Sequence, residues 1–251
     1  MAMCRLPDLA HFYHCWADGA WLPPLREHVA ALYAAEFPVS MRLGLVGSVV
    51  NREKVRLWLD RYFADRWEMA VEASRGWEDL TVSLVQHWAA AHNGFVLYAH
   101  DKGAFTPGGF ETAWRVRMTR ETVRGWEHCL SLLEDHDAAG CHWLTPQQQW
   151  PRTWPAFAGN GWQPMPVRVA HPHFSGNFWW ARSDYLRRLP DSWPFQPAHH
   201  DGCCDQMPPV VTVPRITMQE PNGRWTTELW VGSGDPVVAD LHPGLPGEME
   251  G

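Results

Sequence analysis

The sequence predicts an α/β protein whose central sheet is mostly parallel. Short apolar segments alternate with segments of helical periodicity between residues 10 and 100. Apolar residues make up 45% of the 251 residues and charged residues 20%, which is typical of a globular chain long enough to bury a full core. Because parallel strands need long crossovers, the alternation indicates helices layered on a parallel sheet.

The first half of the chain predicts four strands with three helices between them. Pro23 and Pro24 fit the first turn of the first helix, where a missing N–H costs nothing. Asn93 and Gly94 fit the end of the third helix. The predicted strands are residues 11–16, 41–46, 67–72 and 95–100, and the predicted helices are residues 22–35, 53–64 and 80–91.

The second half predicts a less regular structure within the same domain. It contains a long helix over residues 111–133 that breaks near Gly125, and a short helix over residues 183–189. Strands are predicted at residues 137–143 and 225–231, with irregular Trp- and Pro-rich insertions at residues 145–172 and 192–222. We expect one domain over residues 1–234 and a flexible, acidic, Pro- and Gly-rich tail over residues 235–251.

Composition favours some classes of function over others. The net charge of −7 argues against broad electrostatic binding to nucleic acid. No apolar run approaches the ~18 residues of a membrane helix, and the N-terminus lacks the pattern of a secretion signal, so we expect a cytoplasmic protein, in the host cytoplasm if the source is viral. The six cysteines form no CxxC pair and are expected to be reduced thiols. The 17 tryptophans favour a flat ligand such as a sugar ring or a base.

The first candidate site follows the strand that ends at His100. Asp101, Lys102 and Gly103 come directly after it, and ligands of open α/β sheets bind at the carboxyl ends of strands. An ammonium and a carboxylate suit a pyrophosphate with or without a divalent cation, and glycine lets the backbone approach a ligand. Arg115, close after this loop, adds a second cation. The alternative is a surface turn with a local ion pair.

The second candidate site is the motif HFSGNFWW at residues 173–180. It combines polar side chains with flat aromatic ones, which suits a polyhydroxylated ligand. Strand alternation predicts that one tryptophan faces the core and the other faces the site. The alternative is a core strand preceded by a turn. The candidate sugar- and acceptor-binding residues are His173, Ser175, Gly176, Asn177, Trp179 and Trp180.

Three further groups could carry chemistry. Glu228, near the end of the last predicted strand, is the candidate general base, and Asp137 is its rival. Helical spacing would align Arg117, Arg120 and Arg124 along one face, either as phosphate contacts or as a solvated face. The cluster at residues 199–205 holds enough His and Cys for zinc, but its spacing fits no common zinc site.

Several motifs occur together in an order that resembles a known family. They are YxHxKG at residues 98–103, WRxxM at 114–118, DxxG at 137–140, HFSGNFWWARSDYLRRLP at 173–190 and ExWxG at 228–232, with an FYHxW-like first strand at 11–16. The chain is similar in these segments to a family of bacterial and viral glycosyltransferase-like proteins. The resemblance spans roughly residues 10–232. It departs from the family at Asp101, where a small polar residue is usual, and in lacking an Asp-x-Asp metal motif after a strand.

The resemblance implies a single domain of the GT-A type that transfers a sugar from a nucleotide-diphosphate donor, such as a UDP-sugar, to a hydroxyl, with a saccharide precursor as the expected acceptor. Mn²⁺ or Mg²⁺ would assist, with Asp101 as the candidate ligand. Glu228 would act as base, with Asp137 second. The implied donor-binding residues are His14, Trp16, Gly47, His100, Asp101, Lys102, Gly103 and Arg115.

Two other functions remain open at this stage. The first is a DNA glycosyltransferase that acts on a hydroxymethylated base such as 5-hydroxymethylcytosine in phage DNA, with the arginine stripe contacting phosphates. It predicts strongly salt-dependent affinity for duplex DNA. The second is a non-catalytic module that binds a carbohydrate or nucleotide and does not hydrolyse a nucleotide-sugar.

Overall fold

The fold is built on a seven-stranded, mostly parallel sheet flanked by helices, which confirms the predicted α/β class. The computed structural model describes residues 8–104, 109–145, 172–192 and 227–244. The strands of the large sheet lie in the order β3-β2-β1-β4-β8-β5-β9, and β6 pairs with β7 in a separate two-stranded ribbon. The strands are Asp8–Trp16 (β1), Met41–Val46 (β2), Trp67–Ala73 (β3), Gly94–His100 (β4), Ala138–Cys141 (β5), Trp143–Leu144 (β6), His173–Phe174 (β7), Trp179–Arg182 (β8) and Val238–His242 (β9).

Helices cover both faces of the sheet. One face carries the helices Leu22–Ala34 (α1), Val49–Tyr62 (α2), Gly109–Thr119 (α4) and Trp126–Leu132 (α5), with a π-helical turn at Arg120–Arg124 between the last two. The opposite face carries Asp79–Ala91 (α3), the short helix Ser183–Leu186 (α6) and a 3-10 helix at Thr227–Gly232, while a second 3-10 turn at Ala64–Arg66 leads into β3. Each face buries its own apolar layer against the sheet. Strands covered on both sides are mostly apolar, as β1, β2 and β4 are, apart from His11, His14 and Arg42 in their interiors.

The first four strands form half of a doubly wound sheet. β1 pairs in parallel with β2 on one side and with β4 on the other, and β2 pairs with β3. The chain therefore moves outward from β1 to β3 and then crosses through α3 to β4. Because the direction of winding reverses between β1 and β4, a crevice opens at their carboxyl ends.

The second half of the sheet contains one reversed strand. β8 runs antiparallel to both β4 and β5, while β5 pairs in parallel with β9. β5 consequently runs in the same direction as β4. This places residue 137 at the amino edge of the sheet, on the side away from the crevice.

Three predicted elements differ from the structure. The strand predicted at residues 225–231 is a fully buried 3-10 helix in its described part, and a short buried apolar run does not distinguish the two by pattern. The tail predicted as flexible contributes β9 to the edge of the sheet, paired with β5. The helix predicted at residues 53–64 begins earlier, at Val49.

Two absences hold within the described ranges. No helix there is long and apolar enough to cross a membrane. The described cysteines Cys15, Cys129 and Cys141 are buried and form no disulfide with one another.

Candidate functional site

The crevice between β1 and β4 gathers the ends of several elements. His14 and His100 lie opposite each other in the register of the two strands. The backbone N–H of Asp101 donates to the carbonyl of His14 at 3.1 Å, so the pairing continues one residue past β4. The loop that follows is thereby fixed next to the end of β1.

A pocket of about 400 Å³ opens at the carboxyl ends of β1, β2 and β3. Trp16 and Trp77 contribute indole rings to its wall, Asp18 a carboxylate and Arg75 a guanidinium. The indole N–H of Trp77 is buried and makes no hydrogen bond within the described residues. Val46, Ser74 and Gly76 complete the lining.

Asp18 joins this pocket to the start of α2. Its carboxylate accepts hydrogen bonds from the Ser48 backbone N–H at 2.9 Å, the Ser48 hydroxyl at 2.6 Å and the Asn51 amide at 2.9 Å. These donors, the Ser48 hydroxyl first, hold the pKa of Asp18 below its usual value. Gly47, at φ +137°, lets the chain turn between β2 and the helix.

A buried carboxyl, Glu78, lies one residue beyond Trp77. Its Oε2 accepts hydrogen bonds from the Tyr98 hydroxyl at 2.9 Å and from the Asn177 amide at 2.6 Å. Its Oε1 is 3.3 Å from Nδ1 of His100. Glu78 therefore connects the end of β3, the end of β4 and the HFSGNFWW motif.

The hydrogen bonds of His100 fix where a proton can sit. Its Nε2 faces the Gly176 carbonyl at 2.9 Å, so Nε2 carries the hydrogen and Nδ1 of the neutral ring is an acceptor facing Glu78. Burial, and then the charge of Glu228, raise the pKa of Glu78 to about 7. A protonated Glu78 can donate from Oε1 to Nδ1 of His100, so that this pair carries no net charge.

The turn at Gly176 and Asn177 is held in an unusual backbone conformation. Their φ angles are +92° and +55°, in the left-handed region that most residues avoid. The Asn177 side chain is clamped between Glu78 and the indole N–H of Trp179, which donates to its Oδ1 at 2.7 Å. The Gly176 N–H donates to Oε2 of Glu228 at 3.3 Å.

The two candidate motifs therefore meet at Gly176. Its carbonyl contacts His100 and its N–H contacts Glu228, and Nε2 of His173 is 4.0 Å from the same Glu228 oxygen. Ser175 is buried beside them and donates its backbone N–H to the His142 carbonyl at 2.9 Å. We define Glu78, His100, Gly176, Asn177 and Glu228 as the inner cluster.

Asp101 and His14 lie beneath the crevice rather than on its surface. Asp101 is 4% exposed, and its Oδ2 accepts the Trp16 backbone N–H at 2.7 Å. Burial raises the pKa of Asp101 to about 7. His14 bonds to the Thr81 hydroxyl at 2.9 Å, and burial, with the nearby His100, lowers the pKa of His14 to about 3. Asp101 connects the loop after β4 to β1, and His14 connects β1 to α3, so neither presents a charge to a ligand.

The metal role considered for Asp101 does not fit its surroundings. Its carboxyl is buried and already binds the β1 backbone. Within the described ranges, no group of three or more His, Cys, Asp or Glu side chains could hold a metal ion. We therefore derive no step through a metal.

Arg115 is also engaged by protein groups. Its guanidinium pairs with Glu27 of α1 at 3.0 Å and donates to the Lys102 carbonyl at 2.8 Å. It fixes the loop after β4 rather than facing the crevice. The Lys102 ammonium lies 4.1 Å from the centre of the Trp114 ring, and the φ of Gly103 is +90°.

Four other predictions need correction or lie outside the described residues. Trp179 and Trp180 are both buried, on opposite faces of the sheet, so neither is a surface for a ligand. Asp137 binds the Val237 N–H at the amino edge, about 16 Å from the level of His100 along the strands. The arginine stripe is interrupted, because the π turn shifts the helical phase and Arg117 bonds to His242. The cluster at residues 199–205 lies outside the described residues.

Glu78 and three pocket-wall residues, Asp18, Arg75 and Trp77, were missed from the sequence, whereas Trp16 of the same wall was predicted to bind the donor. Glu78 contacts Asn177 across 99 residues, and no local pattern reports such a pair. A usable signal existed, because Arg75, Trp77 and Glu78 directly follow a predicted strand and therefore belong to the carboxyl edge of the sheet.

Comparison with protein families assigns the chain. Residues 38–242 match the model of a domain of unknown function, DUF8361. The chain belongs to this family. The DUF8361 region contains the inner cluster and most of the pocket wall, while Trp16, at the end of β1, and Asp18, just after it, precede the region.

Several solved structures are similar to the DUF8361 chain. One of them is the mannosyltransferase PcManGT from Pyrobaculum calidifontis in complex with GDP-Man and Mn²⁺, at 15% identity and a TM-score of 0.43. The match covers 75% of this chain and 51% of that one, so the chain spans about half the length of that protein. No curated protein matches the sequence.

Proposed function

We propose that the protein is a glycosyltransferase that uses a nucleotide-sugar donor. The observation that carries this proposal is the position of the pocket at the carboxyl ends of β1–β3. Trp77 of the pocket wall is followed directly by Glu78, which belongs to the inner cluster with its two buried carboxyl groups. A nucleotide site needs a flat apolar surface for the base, polar groups for the ribose and phosphates, and a cavity of sufficient volume. Sugar transfer also needs an acid–base group close to the bound donor.

The pocket supplies the binding half of this function. The indoles of Trp16 and Trp77 offer flat apolar surface to a base. Asp18 offers a carboxylate to a ribose hydroxyl, and Arg75 a cation to a phosphate. Lys102, on the loop after β4, adds a further cation beside the crevice.

The inner cluster supplies the chemical half. In the transfer, the bond between the anomeric carbon and the diphosphate oxygen breaks, and the acceptor oxygen forms a new bond to that carbon. The diphosphate leaves with the bonding electron pair, and the acceptor proton passes to a base. Glu228 is the proposed base. Glu78 is close enough for its pKa to respond to the charge of Glu228, and its Oε1 lies 3.3 Å from Nδ1 of His100.

Donor binding and turnover test the proposal separately. A thermal-shift panel of UDP- and GDP-sugars, with and without Mn²⁺, should raise the melting temperature for at least one donor. Glu228→Gln should retain that shift and lose transfer or donor hydrolysis. Asp137→Asn is the matched control, because Asp137 lies at the opposite edge of the sheet. Full turnover in Glu228→Gln would reject its role as base.

The acceptor is proposed to be a saccharide hydroxyl. A DNA acceptor predicts that affinity for duplex DNA falls steeply with salt, and the interrupted arginine stripe gives it no support. A pure binding module predicts a thermal shift with no donor hydrolysis at any protein concentration.

A further inference from the structure

Exposed apolar side chains are concentrated on α1 and α2. Among the described residues, six of the eight large exposed hydrophobic residues lie on these two helices. Val49, Val50 and Leu57 are 71%, 67% and 60% exposed. The other three are Leu22, Tyr33 and Tyr62. Isolated exposed apolar residues are ordinary, but a contiguous set marks a contact surface.

The periodicity of α2 turns part of this set into a stripe. Arg52, Val55 and Leu59 are the residues that α2 buries against the sheet layer. Counting 100° per residue, Val50 and Leu57 lie directly opposite that buried face. Lys54 and Arg61 fall on the same outer side. We call Val50, Lys54, Leu57 and Arg61 the α2 stripe, which is about 16 Å long.

Aromatic residues border the stripe on the side of α1. Trp58 packs against Tyr62 with ring centres 5.3 Å apart and against Trp21, next to α1, at 6.5 Å. The Arg61 guanidinium lies 5.3 Å from the centre of the Tyr62 ring. Valine and leucine flanked by Trp, Tyr and cations are typical of helices that lie in a membrane interface.

The charges of the stripe select an anionic surface. Glu72 pairs with both Arg52 and Arg56, and Glu53 pairs with Arg56 at 3.2 Å. Within the described residues, Lys54 and Arg61 make no ion pair, and the Lys54 ammonium bonds to the neutral Asn51 side chain at 2.9 Å. The anions Glu53 and Asp60 lie on the flank away from α1. The outer side of α2 therefore carries two available cations on a chain whose net charge is −7.

We propose that the α2 stripe docks the protein on the surface of an anionic lipid bilayer. Val50 and Leu57 would enter the interface, and Lys54 and Arg61 would contact lipid phosphates. The stripe begins two residues after Ser48, which binds Asp18 on the pocket wall. Docking would therefore bring the pocket mouth close to the lipid headgroups. This inference stands on its own observations and does not depend on the proposed function.

Co-sedimentation of the full chain with vesicles tests the docking surface. We expect binding to vesicles of equal parts phosphatidylglycerol and phosphatidylcholine, weakening as salt is raised, and little binding to phosphatidylcholine alone. Val50→Ser combined with Leu57→Ser should lower the partition coefficient by about tenfold or more. Lys54→Gln combined with Arg61→Gln should lower it by about fivefold per cation.

Matched controls keep the test specific. Val237→Ser changes a valine that is 59% exposed elsewhere, and Arg124→Gln removes an exposed cation outside α2. Both should bind like the parent, and the unchanged melting temperature of each variant shows that it folds. Three results would overturn the proposal: no binding to anionic vesicles, equal losses in the controls, or a dimer that the Leu57→Ser change dissolves. Vesicle binding needs no nucleotide, so its failure leaves the donor assay untouched.

Discussion

Glu78 is the residue whose contacts connect β4, the HFSGNFWW motif and the pocket wall. It receives hydrogen bonds from Tyr98 and Asn177 and faces Nδ1 of His100. A carboxyl buried among these groups is stabilised in its protonated form, because the charged form loses its hydration and repels Glu228. Its protonation state is therefore coupled both to folding and to the charge of the proposed base.

The stability of the fold should depend on pH through Glu78. Its folded pKa of about 7 lies above the ordinary value of 4.5. Between these values the folded chain holds a proton that the unfolded chain has released, so the free energy of unfolding falls as pH rises from 4.5 to 7. In Glu78→Gln, whose amide mimics the protonated carboxyl, that fall should be smaller by about 1.4 kcal/mol per pH unit. Urea denaturation across this range measures it, and the exposed Glu53→Gln is the control. Identical slopes in Glu78→Gln and the parent would contradict the assignment.

The Gly176 turn should not accept a side chain. An added Cβ would lie 2.7 Å from Sδ of Met118 and 3.0 Å from Cζ2 of Trp114, and φ of +92° disfavours any residue with a Cβ. Gly176→Ala should lower the free energy of unfolding by about 1–3 kcal/mol, as read from urea denaturation. Ser175→Ala, in the same turn without a positive φ, should cost less. Equal losses in the two variants would show that the left-handed turn carries no special cost.

At the scale of elements, Arg115 ties α4 to α1 and to the loop after β4. Its side chain is 6% exposed and pairs with Glu27, whereas Arg120 is 61% exposed and pairs with Glu121. Removing the buried Arg115 would leave Glu27, which is 26% exposed, without its partner, while an exposed pair contributes little to stability.

These two arginines form a matched comparison. Arg115→Met should lower the free energy of unfolding by about 1–3 kcal/mol, because Glu27 and the Lys102 carbonyl lose their donor. Arg120→Met should cost about 0–1 kcal/mol. Urea denaturation of both variants at one pH measures the difference. A loss in Arg115→Met no larger than in Arg120→Met would show that the pair does not hold the loop.

The sequence predicts local elements better than distant contacts. β2 was predicted at its observed bounds, because an apolar run between turn residues is a local signal. β9 was missed, since Val238–His242 is a partly buried edge strand whose pairing with β5 spans about 100 residues. The 3-10 helix at Thr227–Gly232 is buried throughout and therefore resembles a buried strand.

The same limit separates the predicted from the missed site residues. His100 and Asn177 belong to compact motifs and do lie in the inner cluster. Arg115 and Asp101 are charged residue types that suit a ligand, but in the fold each already bonds to other protein groups. Those contacts are distant in sequence and could not be predicted from it. Glu78 stands outside every motif and enters the cluster through the geometry of β3 and α3.

At the scale of the whole molecule, the winding of the sheet decides where function can reside. The order β3-β2-β1-β4 reverses direction at β1 and β4, which opens the carboxyl edge there, and the reversed strand β8 brings the HFSGNFWW turn to the same edge. The opposite edge holds Asp137 and the starts of the strands. The proposed donor-binding and transfer groups therefore all lie on one edge of the sheet.

The most direct test of this placement is to measure donor binding by titration calorimetry in two variants. One variant adds a bulky side chain at the carboxyl edge of the sheet, and the other adds one at the amino edge. Ser74→Trp places an indole in the pocket wall, and Ser40→Trp places one at an exposed position just before β2, at the amino edge. We predict that the nucleotide-sugar selected by the thermal-shift panel binds Ser40→Trp as it binds the parent and binds Ser74→Trp at least about tenfold more weakly. Unchanged affinity in Ser74→Trp, with loss in Ser40→Trp, would contradict the account.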